Sequence, residues 1–199
     1  MRIACIAAVA ALAAGCFGGL NEQLPPPLVY RVDAPVLAAG AVLPVDLNIV
    51  VSGAAPGLDG AGIAGRWPGQ RLDHLAGARW AERLPVLVES ALTEAFQDSG
   101  RLRSVQGNLG RFRATHTLVV EVRRFEADYT AGGLPVAQVS LAVTLGRASD
   151  RRVLAAFTAS ASEGAAENRQ SAVVQALGAA FGRAANDAAA KAFEALEAV

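Results

Sequence analysis

Cysteine is missing from the chain beyond position 16; the two that occur are Cys5 and Cys16. A disulfide, a thiolate metal site and a catalytic thiol are therefore excluded from everything that follows residue 16. A surplus of positive charge is missing too. Eighteen Lys and Arg balance eighteen Asp and Glu, and every basic residue except Lys191 is arginine. Nucleic-acid binding calls for a basic excess or stripe that neutralises phosphates, so no nucleic acid is expected among the partners. Aromatic residues make up 6% of the chain. A core must then be assembled largely from small side chains at close backbone approach. Histidine is limited to His74 and His116. Neither has a ligand or an acid–base partner at a recognisable spacing, and both read as partly exposed strand residues. No metal, no cofactor and no enzymatic activity are expected.

What is present begins at the N-terminus. Met1-Arg2 forms a short positive region, and Ile3–Ala14 an apolar run of twelve residues. A membrane-spanning helix needs about 20 such residues, so this run is too short to cross. Leu12-Ala13-Ala14-Gly15-Cys16 follows it, with small residues leading directly to a cysteine. That is the pattern read by lipoprotein signal peptidase. The expectation is a leader over residues 1–15 and a diacylated first residue, Cys16, of the mature protein. More than one acyl chain anchors stably where one does not. Phe17 stands where an aspartate would signal inner-membrane retention, which favours the periplasmic face of the outer membrane. Residues 16–27, with Gly18-Gly19 and Pro25-Pro26-Pro27, read as a lipidated tether, and residues 28–199 as one domain.

Within that domain the periodicity alternates between two kinds. Leu28–Val32 and Val45–Val51 read as strands, and Gly53–Gly65 as a Gly/Ala/Pro-rich loop. Ile63–Trp67 and Arg71–Leu75 read as a hairpin around Pro68-Gly69. Glu82–Ser99 carries Leu84, Leu87, Val88, Ala91, Leu92, Ala95 and Phe96 at helical spacing, with Pro85 in the first turn and Gly100 as the stop. Leu102–Gln106 reads as a short strand. His116–Tyr129, Pro135–Gly146 and Arg151–Ser160 alternate as strands with short links, which predicts an antiparallel meander. In the first of these, Leu118, Val120 and Val122 are expected on one face, with Val119 and Phe125 on the other. Ala166–Leu196 places Val173, Leu177, Phe181, Ala184, Ala188, Ala192 and Leu196 on one stripe of a long helix. The fold class expected is α+β: a single antiparallel or mixed sheet with two long helices packed on one face.

Three motifs need weighing. Gly60-Ala61-Gly62-Ile63-Ala64-Gly65 fits a dinucleotide fingerprint by letter, but Pro68-Gly69 stops any helix it would have to open; loop composition explains it. Gly178-Ala179-Ala180-Phe181-Gly182 lies in a helix with Arg169, Arg183, Asp187 and Lys191, which rules out a membrane span, so close packing on the sheet is expected. Arg79-Trp80-Ala81-Glu82 and Arg123-Arg124-Phe125-Glu126 are aromatic–arginine clusters. They read either as packed aromatics flanked by solvated charges, or as a partner surface of Arg79, Trp80, Glu82, Arg123, Arg124 and Phe125.

The order of these elements resembles a known family. A lipobox is followed by Tyr30-Arg31-Val32-Asp33, by Arg79-Trp80-Ala81-Glu82-Arg83-Leu84-Pro85 opening a helix that ends at Asp98-Ser99-Gly100-Arg101, and by Val120-Glu121-Val122-Arg123-Arg124-Phe125-Glu126-Ala127-Asp128. This resembles the ABC-type transport auxiliary lipoproteins, the PqiC-like family, over Leu28 to Leu196. The resemblance implies a non-enzymatic, outer-membrane-anchored periplasmic component of an MCE-type ABC transporter for phospholipids or other hydrophobic substrates. It further implies docking of an MCE-domain protein and a homo-oligomeric ring. The alternative is a structural envelope lipoprotein that assists assembly of another outer-membrane machine. A periplasmic hydrolase is a third reading, and it lacks a visible acid–base pair.

Overall fold

The computed structural model describes residues 25–198. The leader, Cys16 and most of the tether lie outside the described residues.

The described chain forms eight strands in one sheet and two helices: β1 (Leu28–Tyr30), β2 (Leu43–Ala54), β3 (Gly62–Trp67), β4 (Arg71–Trp80), α1 (Leu84–Asp98), β5 (Leu102–Gln106), β6 (His116–Asp128), β7 (Val136–Arg147), β8 (Val153–Gly164) and α2 (Gln170–Glu197). The fold is α+β. β6 is its centre. Along one edge it pairs with β7, antiparallel, from His116↔Arg147 to Asp128↔Val136, and β7 continues antiparallel to β8. This is the meander expected from the alternation. The other edge of β6 is shared. β2 runs parallel to its first half as far as Ala54↔Val122, and β3 runs parallel to its end, from Ala64↔Glu126 to Arg66↔Asp128. β5 lies outside β2, while β4 and β1 lie outside β3. The sheet is therefore mixed and forks beyond β6.

Sequence accounts for most elements. Pro85 sits in the first turn of α1, where a missing N–H costs no helical bond. Gly100 ends it with a positive φ of 63°, and the Ser99 hydroxyl donates to the Phe96 carbonyl at 2.7 Å. The α1 residues picked out by spacing are the buried ones, as are Val173, Leu177, Phe181, Ala184, Ala188, Ala192 and Leu196 of α2. Both helices lie on the same side of the sheet and touch through Phe96 and Phe193, whose ring centroids are 5.3 Å apart. The inward residues of β2, β6 and β7 (Leu47, Ile49, Leu118, Val120, Leu141 and Val143 among them) join the helices in one continuous core.

Four local readings are corrected. Gly53–Gly65 is not all loop: β2 runs on to Ala54, and β3 starts at Gly62. A Cβ at Gly62 would run into the His74 ring, and one at Gly65 into the Trp67 ring, so a larger residue at either position would displace those side chains. β4 extends past Leu75 to Trp80. The Gly178/Gly182 face of α2 does not pack on the sheet. It lines a groove of about 560 Å³ against Tyr30–Pro35. Finally, Phe125 shares the inner face with Val120 and Val122. A β-bulge between Val122 and Arg124 inserts one residue into β6, and an inserted residue inverts the alternation that follows it.

Candidate functional site

That bulge decides which side chains face outwards. Before it, even-numbered residues of β6 point to the helices; after it, Phe125 and Ala127 do, and both are buried. Arg124, Glu126 and Asp128 are thereby turned to the opposite face of the sheet, which neither helix covers. Neighbouring strands present small or polar residues on that face. Ser140 and Ser160 bond each other through their hydroxyls at 2.8 Å; Thr158 is exposed, and Gln138 and Thr144 are half-buried.

A charge network lies across this open face where β3 joins β6. Arg66 from β3 reaches Asp128 at 2.7 Å and Glu126 at 3.7 Å. Arg124 reaches Glu126 at 3.0 Å and Asp128 at 3.6 Å. Glu126 is 7% exposed, and the two guanidinium groups above it supply its ion-pair partners. Partial burial pushes the Asp128 carboxyl up. Hydrogen bonds from the Thr130 hydroxyl, the Arg66 guanidinium and the Thr130 amide outweigh it and hold the group at about 2. Arg123, the residue inserted at the bulge, bends over the same face to Glu121 at 3.6 Å and Thr158 at 3.5 Å. Beside the network, Trp67 stacks on Tyr129 with ring centroids 4.9 Å apart, and the Arg71 guanidinium lies 5.2 Å from the Trp67 ring centre.

The residues singled out from sequence divide into two groups. Trp80 and Phe125 are each 1% exposed and are not partner-surface residues. They pack edge to face at 5.7 Å, and Phe125 continues to Phe181 of α2 at 5.9 Å. They are therefore packed aromatics; the charges flanking Trp80 are exposed, whereas Glu126 beside Phe125 is buried. Arg123 and Arg124 do meet on the open face. Arg79 is exposed on β4, alternating with buried Ala78 and Trp80, and Glu82 is exposed between β4 and α1. Sequence reading missed Arg66, Glu126 and Asp128 as a group. The signal was the spacing of Arg124, Glu126 and Asp128 at every second position, which puts all three on one face of a strand.

Among the described residues no group of three or more His, Asp or Glu side chains is arranged to hold a metal ion, and no helix is long and apolar enough to cross a membrane. His74 is exposed with its Nε2 3.3 Å from the Gly57 carbonyl. His116 is half-buried, and burial followed by the charge of Arg147 lowers its pKa. The two histidines sit on different strands, β4 and β6. The arrangement offers fixed charges on a rigid sheet.

Such a domain, one face clad in helices and the other carrying charges on an uncovered sheet, defines a class of small α+β proteins. Within that class, the chain belongs to the ABC-type transport auxiliary lipoprotein components, whose family model matches residues 36–189. Among solved structures it is similar to protein XCC0632 from Xanthomonas campestris, with 26% identity, a TM-score of 0.77 and coverage of 85% of this chain and 96% of that one. The hypothetical protein CT253 from Chlamydia trachomatis shares the fold at 10% identity and a TM-score of 0.52, with 79% of this chain and 100% of that chain covered. No curated protein matches the chain.

Proposed function

We propose that this protein is a non-enzymatic, lipid-anchored docking component of an MCE-type ABC transport system that moves phospholipids or other hydrophobic molecules across the cell envelope. Membership of the transport auxiliary lipoprotein family is the observation that carries this reading. Cys16 takes the acyl chains, and Phe17 after it favours the outer membrane, with the domain on the periplasmic side. The MCE-domain protein docks on the uncovered sheet face. Arg66, Arg124, Glu126 and Asp128 are held there on strands, which position a recognition surface better than loops do. Paired charges of both signs suit partner selection and register more than raw affinity. The protein assembles into a homo-oligomer, as the family resemblance implies.

Affinity purification of the full chain from membranes tests the reading. An MCE-domain protein and its ABC transporter should co-purify. The Cys16→Ala variant should lose acylation and leave the membrane fraction. Recovery of the acylated protein with no MCE component overturns the docking role.

A further inference from the structure

Two loops meet at the end of the sheet where β6 begins. One joins β5 to β6 and the other joins β7 to β8; the Ala148 amide of the second donates to the Thr115 carbonyl of the first at 2.8 Å. The first loop carries Leu109, 92% exposed, and Phe112, 85% exposed. Its main chain is nevertheless tied down. The Gly110 amide donates to the Gly107 carbonyl at 2.9 Å. The Gln106 side chain donates to the Phe112 carbonyl at 2.7 Å and accepts from the Phe112 amide at 3.3 Å. Glu89 accepts the Asn108 amide at 3.2 Å. The loop therefore holds a leucine and a phenylalanine out in water on a fixed base.

The charge around them has one sign. Arg111 and Arg113 flank Phe112, and Arg151 and Arg152 stand in the adjoining loop, all exposed. Among the described residues none of these four arginines pairs with an acid. The acids close by are engaged: Asp150 with Arg147 at 2.8 Å, Asp46 with Arg103, and Glu89 with backbone amides. A chain of zero formal net charge thus gathers unpaired positive charge around two of the most exposed apolar side chains among the described residues. Phosphates would answer the arginines and acyl chains the Leu109 and Phe112 side chains, and an anionic phospholipid surface supplies both. Arginine stems also lie along apolar surface while their heads stay with phosphate.

We propose that this end of the sheet is a second membrane contact, in which Leu109 and Phe112 enter the headgroup region of an anionic bilayer and Arg111, Arg113, Arg151 and Arg152 hold its phosphates. The proposal rests on the lipoprotein reading only in placing a bilayer nearby. In the test, the full acylated chain carrying Phe112→Trp is placed in vesicles of equal parts phosphatidylglycerol and phosphatidylcholine with brominated acyl chains. A second variant, Leu134→Trp, reports from the loop between β6 and β7 at the other end of β6, and the unsubstituted chain gives the background of Trp67 and Trp80. Emission at position 112 should be quenched, the quenching should weaken with all-phosphatidylcholine vesicles or raised salt, and the Arg111→Glu/Arg113→Glu pair should abolish it, while position 134 stays bright. Equal emission from positions 112 and 134 in the anionic vesicles overturns the proposal; it is also the result expected if the patch serves an acidic protein. The mass of the N-terminal peptide reports acylation separately, so failure of the anchor and failure of the loop are told apart.

Discussion

Trp80 and Phe125 meet edge to face, their ring centroids 5.7 Å apart and their planes at 85°. Each is the aromatic member of an arginine-flanked motif, and it is through the core that the two motifs are joined. The bulge in β6 makes the contact, because without the inserted residue Phe125 would point to the open face. An aromatic pair of this geometry adds about 0.5–1.5 kcal/mol to the burial of its rings.

Truncating either ring should therefore behave as core damage. Phe125→Ala and Trp80→Ala are each expected to cost about 3–5 kcal/mol in urea unfolding. Arg123→Ala, beside Phe125 in sequence but exposed, should stay within about 0.5 kcal/mol of the parent. An unchanged midpoint for Phe125→Ala would mean that the ring lies on the other face.

Phe181 sits at the centre of α2 and is fully buried, 5.9 Å from Phe125. Phe181→Asp places an unpaired carboxyl in the core, and several kcal/mol of stability should go with it. Thermal unfolding checks this. A melting temperature equal to that of the parent would contradict the assigned helix face.

Glu126 is shared by two arginines, so their removal should not be additive. Arg66→Ala or Arg124→Ala alone leaves Glu126 one guanidinium, and each should cost no more than about 1 kcal/mol. The double variant strands a buried carboxylate, and its cost should exceed the sum of the two by about 1 kcal/mol. Adding Glu126→Gln to the double variant should recover part of the loss, since no charge is then stranded. A double-mutant cycle in urea measures all of this, and simple additivity would show that the network is not coupled.

Acid should weaken the fold in a defined window. Asp46 is lowered to about 2 by hydrogen bonds from Arg103 and Ser104. Asp150 is lowered to about 2 by Arg147 and the Arg152 amide. At Asp128 burial raises the pKa, but bonds from Thr130 and Arg66 win and bring it to about 2. Each folded-state pKa lies below the ordinary value of 3.8, so the unfolded chain binds more protons in this range. The stability these groups contribute is complete above about pH 4 and is lost as pH falls through about 2. Unfolding midpoints measured down that range should drop, and Asp128→Asn should flatten part of the slope. A midpoint independent of pH there would contradict the three assignments.

Much of this architecture was legible because its periodicities are strong. The inward residues of α1 and α2 recur at three and four, and β7 alternates from Ala137 to Leu145 without a break. The hairpin of β3 and β4 was legible around Pro68-Gly69, but the neighbouring Gly/Ala-rich stretch hid the end of β2 at Ala54 and the run of β4 from Leu75 to Trp80. The facing of Phe125 was illegible for a different reason. A bulge is a relation between β6 and β7, and nothing in Val122-Arg123-Arg124 announces it. The charge network was hidden likewise, as Arg66 and Asp128 are 62 positions apart in the chain. The open face was half-visible in Arg123 and Arg124, and its acids came only with the fold.

Under the proposed function, the uncovered sheet face receives an MCE-domain partner while the helices face away from it. Photo-crosslinking in cells tests it most directly, with the reactive side chain placed at Ser140 or Thr158 on the sheet and at Asn186 on the exposed side of α2. Adducts to an MCE-domain protein from the two sheet positions, and none from Asn186, are the predicted result. Adducts from Asn186 alone, or from no position in cells that express the transporter, would contradict it.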